Sequence, residues 1–144
     1  MARISLRTFC AVALLGAALL TTFAYAQDPR ASAAQTAARL FLAFTDKGDA
    51  KASWESAGKQ FQNGINSVRW AVALDQVRTP VGAVVDRAMV STEFLRTFPG
   101  APSAGDYVIV QYRTSFAKLT GALESLTLER EADGMWRVIG YVIR

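Results

Sequence analysis

The chain has 144 residues, 16 basic and 12 acidic side chains for a net charge of +4, no histidine and a single cysteine. That length suits one domain large enough to bury its own core. The charge is too small for a nucleic-acid footprint, which needs Lys and Arg massed on one face, and without histidine every His-dependent triad is excluded.

The first 26 residues read as a secretory signal peptide. Arg3 and Arg7 form a positive start, an apolar run extends from Phe9 to about Leu20, and Ala24-Tyr25-Ala26 supplies an A-x-A cleavage pattern ahead of Gln27. The run falls short of the ~18 apolar residues that would span a bilayer. The expectation is therefore an exported protein, periplasmic or secreted, with a single domain over 27–144 and no membrane span once the signal is removed. Cleavage leaves 14 basic and 12 acidic residues, a net +2, and removes Cys10. The remaining domain then has neither thiol nor disulfide, in a compartment that permits disulfides.

Asp28-Pro29 is a strong helix start, with a capping carboxylate followed by a proline suited to the first helical position. Ala34, Ala37, Ala38, Phe41 and Phe44 recur at helical spacing, with Leu40 and Leu42 widening the stripe. Gly48 stops this helix and Asp49 caps a shorter one that presents Trp54 and Ala57. The run from Phe61 to Ile65 reads as a connector. A third helix begins near Asn66-Ser67, places Trp70, Leu74 and Val77 on one face, and ends at Thr79-Pro80. Arg78 to Arg87, "RTPVGAVVDR", reads as a turn with a short extension.

From Ala88 the apolar period changes from about 3.6 to 2. A first strand over Met89 to Phe98 turns Val90, Phe94 and Phe98 to one side and Ser91, Glu93 and Thr97 to the other. A turn-rich loop, "PGAPSAGD", precedes a second strand from Tyr107 to about Phe116, with Val108, Val110, Tyr112 and Phe116 on one side. In the third strand Leu126 and Leu128 alternate with Ser125, Thr127 and Glu129. The Asp133-Gly134 turn leads into the last strand. There Trp136, Val138 and Val142 fall on one face and Met135, Ile139, Tyr141 and Ile143 on the other. This order predicts an α+β domain with about three N-terminal helices packed on one face of a four-stranded antiparallel meander.

The strings "FPGAPSAGDYVIVQYRTSFA" and "DGMWRVIGYVIR", the Arg-x-Pro-x-Gly segment inside "RTPVGAVVDR", and Trp54 and Trp70 together resemble the bacterial secreted family called domain of unknown function 4019. The resemblance spans nearly all of residues 27–144 and brings no activity and no catalytic residue. The helix-then-meander order is also similar to the cystatin-like and nuclear-transport-factor-2-like cone folds.

With no His anywhere and no Cys after residue 26, the usual metal ligands and the thiol nucleophile are missing, and no metal or cofactor is expected. Arg78 and Arg87 bracket the Pro80-Gly82 turn and suit an anion or carboxylate clamp, since guanidinium forks match that geometry. The structural alternative has Arg78 closing its helix and Arg87 tying the sheet edge. Asp46 and Asp49 read as turn and capping residues. Asp75, Asp86 and Glu93 are either ion-pair partners for Arg69, Arg78 or Arg87, or a general base in a pocket. Trp54, Trp70 and Trp136 read as core, or as the lining of a ligand pocket or a carbohydrate platform. Tyr107, Gln111 and Arg113 share a more polar face.

A last strand apolar on both sides calls for cover on both sides. Met135, Ile139, Tyr141 and Ile143 are thus candidate contact residues, to be covered by a second copy, an envelope partner, or the connector around Phe61 and Ile65. The functional expectation is a non-catalytic module for protein contacts or small-ligand binding. The alternative is a small hydrolase or isomerase with a carboxylate in a cone-shaped pocket.

Overall fold

A computed structural model describes residues 28–144. The expected signal peptide, Cys10 included, lies outside the described residues.

Helix α1 spans Pro29–Asp46, and the Asp28 carboxylate accepts the Arg30 amide at 2.9 Å. It buries Ala34, Ala38, Phe41 and Leu42, the two alanines allowing close approach to the sheet, while Leu40 points outward. Gly48, at φ +71°, takes the left-handed conformation that ends the turn. Helix α2 (Ala50–Ser56) is capped by Asp49.

The expected connector is itself a helix, α3 (Lys59–Gly64), so the described residues form four helices rather than three. Three features hold so short a helix. Phe61 is buried edge-on against Trp70 at 4.9 Å, the Gln62 side-chain amide donates to the Trp54 carbonyl at 3.0 Å, and the Lys59 amide donates to Glu131 at 2.7 Å. Helix α4 (Ser67–Arg78) starts at an Asn66 cap and buries Trp70 and Leu74. Val77 is exposed, and Arg78 takes the inward position in the last turn.

Strands β1 (Val84–Leu95), β2 (Tyr107–Phe116), β3 (Leu119–Arg130) and β4 (Trp136–Ile143) form an antiparallel sheet in the order β1-β2-β3-β4. The helices cover one face of it. β1 begins five residues earlier than its sequence pattern suggests, so Arg87 lies in the strand and not in an extension. Register shifts after Val84 and after Met89 break its alternation. Val90, expected to face the core, falls at the second shift and is exposed.

The same device explains the double-sided apolar pattern of β4. Leu128 pairs with Val138, but Thr127 pairs with Gly140, leaving Ile139 as the extra residue of a β-bulge. The phase inverts there. Tyr141 then stands opposite buried Leu126, and Ile143 opposite buried Glu124, so both join Trp136 and Val138 on the helix-covered face. Val142, expected beside Val138, is turned outward and exposed.

Phe41 sits at the centre of the core, with ring centroids 6.1 Å from Phe61, 6.0 Å from Trp70 and 5.7 Å from Tyr141. On the opposite face a hydrogen-bonded row runs from Ser91 to Gln111 at 3.1 Å and from Gln111 to Ser125 at 3.2 Å. That face has the polar character of a surface open to water.

Candidate functional site

The site forms where the ends of α1 and α4 meet β1, β3 and β4. On β3 the inward positions are Ala122, Glu124, Leu126 and Leu128, all buried, and Glu124 is 0% exposed. A carboxylate in that position is tolerated only with charge and hydrogen bonds to match. Its Oε2 accepts from Arg87 Nε at 2.7 Å and from the Thr114 hydroxyl at 2.8 Å. Its Oε1 accepts from the Tyr141 hydroxyl at 2.6 Å and from Arg87 Nη2 at 3.2 Å. Thr114 pairs with Arg87 in the β1–β2 register, which delivers both donors to the same place.

Asp46, the last residue of α1, holds the other side of the arginines. Arg87 Nη1 donates to its Oδ2 at 2.7 Å and Nη2 to its Oδ1 at 2.9 Å, while Arg78 Nη1 donates to Oδ1 at 2.9 Å. Arg78 Nη1 also donates to the Tyr141 hydroxyl at 3.2 Å, and its guanidinium lies 5.0 Å from the Phe116 ring centroid. Two cations and two anions thus balance across one largely buried junction.

The electrostatics follow from that balance. Burial pushes the Asp46 carboxyl upward, but the Arg87 and Arg78 guanidiniums outweigh it and hold Asp46 below the ordinary range. Burial likewise opposes the charge on both arginines, and hydrogen bonds with charge from their partners raise them nonetheless. The Tyr141 phenol is raised by burial first and by the adjacent Glu124 charge second.

A cleft of about 420 Å³ opens beside this network, between the α1–α2 turn and the end of α4. Asp46, Lys47, Asp75, Arg78 and Thr79 supply its polar lining and Leu74 part of its apolar wall. Arg87 lies behind Asp46 and does not line it.

The expected arginine pair is therefore brought together, with carboxylates of the same chain between its forks. Asp46, read from sequence as a turn residue, and Glu124, not singled out, are those carboxylates. Glu124 carried a signal: extending the Leu126, Leu128 alternation back by two residues places it inward. Asp75, Asp86 and Glu93 are exposed and form no ion pair among the described residues; Asp75 instead accepts the Thr79 hydroxyl at 2.7 Å.

The β4 candidates are parted. Met135 precedes the strand and is exposed, Ile139 lies against Gly58, Tyr141 enters the aromatic core and Ile143 shares its face. Trp70 and Trp136 are buried, and Trp54, half-buried, donates its indole N–H to the Ile65 carbonyl at 2.8 Å. Tyr107 is buried too, its hydroxyl donating to the Ser103 carbonyl at 3.0 Å, whereas Arg113 stays at the surface.

Among the described residues no three His, Cys, Asp or Glu side chains are grouped to hold a metal ion, and no helix is long and apolar enough to cross a membrane.

Fold and site together define a small α+β domain in which helices and sheet are joined by an internal ion-pair network. Residues 37–141 match the family model described as "Protein of unknown function (DUF4019)", and the chain belongs to that family. No curated protein matches it.

Proposed function

We propose that this is an exported, periplasmic or secreted module that works by binding a small ligand, not by catalysis, and that the cleft beside Asp46 and Arg78 is its site. The observation that carries this reading is the state of Arg78. It borders the cleft, and only its Nη1 is hydrogen-bonded to described residues. A guanidinium half engaged at the wall of a cleft is a ready receptor for an oxyanion. Lys47, also in the lining, forms no ion pair among the described residues and adds a second cation.

The non-catalytic part rests on the carboxylates. Glu124, the one fully buried carboxylate among the described residues, has both oxygens committed to the protein's own donors. Asp75, on α4, and Asp86 and Glu93, on β1, the candidates for a base, are all solvent-exposed. We also assign the fold to the cone class of the cystatin-like and nuclear-transport-factor-2-like domains. Bulges in β1 and β4 bend a meander whose four strands all touch α1.

The test is a ¹H–¹⁵N titration of the 27–144 protein with small mono- and dicarboxylates and with their methyl esters. Saturable shifts at residues 45–50 and 71–83 that vanish with the esters and in Arg78→Met support the site. Shifts indifferent to both changes overturn it. Export is checked separately by fractionating cells and sequencing the amino terminus, which should begin at Gln27.

A second reading, contact with another protein, is favoured by one observation. Leu40 and Met135, 52% and 59% exposed, rim a largely apolar groove of about 340 Å³ between α1 and the start of β4. Such a groove fits an apolar side chain of a second copy or an envelope partner. Light scattering with wild type and Met135→Glu tests the second copy: association lost in the variant supports it, and a monomer in both at high concentration removes it.

A further inference from the structure

We infer that Asp46 occupies the seat of an acidic ligand: a small carboxylate entering the cleft exchanges with Asp46 on Arg78 and Arg87. This rests on the cleft being the binding site and names what it takes.

The two carboxylates of the network are held very differently. Glu124 is wholly buried and is fixed by a threonine hydroxyl, a tyrosine hydroxyl and two nitrogens of Arg87. Asp46 has a side chain 28% exposed, and every hydrogen bond it accepts comes from a guanidinium. It is also the network member that separates Arg87 from the cleft. Glu124 thus fixes the receptor, because the bond from Arg87 Nε locks the guanidinium plane from behind and leaves Nη1 and Nη2 aimed at the Asp46 position. Of the two carboxylates only Asp46, already partly exposed, can turn to solvent without being drawn out of the interior.

Exchange also conserves what is costly to lose. Removing Asp46 alone would leave two guanidiniums against one carboxylate in a poorly hydrated junction, which is strongly unfavourable. A ligand carboxylate restores both the charge and the fork geometry. What remains is the release of one side chain at the end of α1, beside the Gly48 turn. A ligand that adds contacts to Lys47 and Leu74 across the cleft offsets that cost. A monocarboxylate has only the exchange itself to gain from, so the internal Asp46 suppresses its binding by simple competition.

The experiment compares wild type, Asp46→Ala and Asp46→Asn as full chains, with sodium acetate as probe and sodium chloride at matched ionic strength as control. Acetate should bind Asp46→Ala about tenfold or more tightly than wild type, and should raise the depressed melting temperature of that variant in a saturable way that chloride does not reproduce. If Asp46→Ala fails to fold in buffer, Asp46→Asn, which keeps the side-chain shape without the charge, is read in the same manner. Equal acetate affinity in wild type and variant, with shifts still mapping to the cleft, overturns the exchange and leaves the cleft site standing. No carboxylate binding in wild type or in either variant overturns both.

Discussion

Arg87 meets Glu124 with two nitrogens, Nε at 2.7 Å and Nη2 at 3.2 Å, at a point where every neighbouring inward residue of β3 is apolar or small. Neither member is stable there alone. Glu124→Gln keeps the shape but leaves Arg87 with one carboxylate fewer, and Arg87→Met leaves a buried anion with only hydroxyl donors and a more distant Arg78 at 3.7 Å. Breaking one side of such a pair typically costs about 3–5 kcal/mol. The double variant Arg87→Met/Glu124→Leu should lose less than the sum of Arg87→Met and Glu124→Leu in urea unfolding, because it removes both charges. Additivity would mean the two residues are not energetically coupled.

How much of this junction can be read from the chain depends on backbone register. Helix boundaries were marked by local chemistry at Asp28, Gly48, Asp49, Asn66 and Pro80, and each acts over a few residues. The inward direction of Arg87 and Tyr141 depends instead on bulges after Val84 and at Ile139, and a bulge shifts phase without a distinctive residue type. A strict alternation carried through Ile139 therefore sends Tyr141 to the wrong face and makes β4 look apolar on both sides. The α3 helix was hidden for a different reason: its stability comes from Phe61 and Gln62 contacts distant from its own six residues. Asp46 was hidden because a carboxylate beside a helix end has an adequate local explanation.

Tyr141 belongs to both the aromatic core and the ion network, and its substitutions separate the two roles. Tyr141→Phe keeps the ring contacts to Phe41 and Trp70 but removes a donor to Glu124, a loss of about 1.5–3 kcal/mol for a hydrogen bond to a charged group. Tyr141→Glu brings a second carboxylate against Glu124 and should abolish folding, read by circular dichroism, without a selective effect on association.

The raised phenol of Tyr141 also fixes the direction of an alkaline limb. Its folded value lies above the ordinary phenol value, so its contribution to stability is complete below about pH 10 and is lost as pH climbs towards the folded value. Chemical denaturation between pH 9 and 11.5, choices that bracket the ordinary phenol value, should show stability falling in wild type and a shallower fall in Tyr141→Phe. The residual slope comes partly from Tyr112, which burial also raises.

Asp133 gives the corresponding acid limb at the surface. Hydrogen bonds from Arg137 and from the Met135 amide hold its carboxyl down, to about 2. A depressed carboxylate contributes stability above its ordinary range near pH 4, and that contribution fades as pH falls through the folded value. A carboxyl-detected NMR titration should place the Asp133 midpoint near 2 in wild type, and Arg137→Met should move it up towards the ordinary range. An unmoved midpoint would assign the depression to the hairpin turn rather than to the arginine.

Gly58, at the start of α3, lies directly against β4. Its amide donates to the Val138 carbonyl at 2.8 Å, and an added Cβ would lie 3.0 Å from Ile139 Cγ2, 3.1 Å from Glu131 Oε1 and 3.3 Å from Arg137 Cβ. Its φ of -72° suits any residue, so the constraint is space and not backbone strain. Gly58→Ala should therefore destabilise by overpacking, about 1–3 kcal/mol. Ile139→Ala removes the nearest of those atoms, and the pair Gly58→Ala/Ile139→Ala should recover part of the loss relative to additivity in thermal unfolding. If the double variant is no better than additive, the crowding lies with Glu131 and Arg137, and the bulge residue is not what sets the distance between α3 and the sheet.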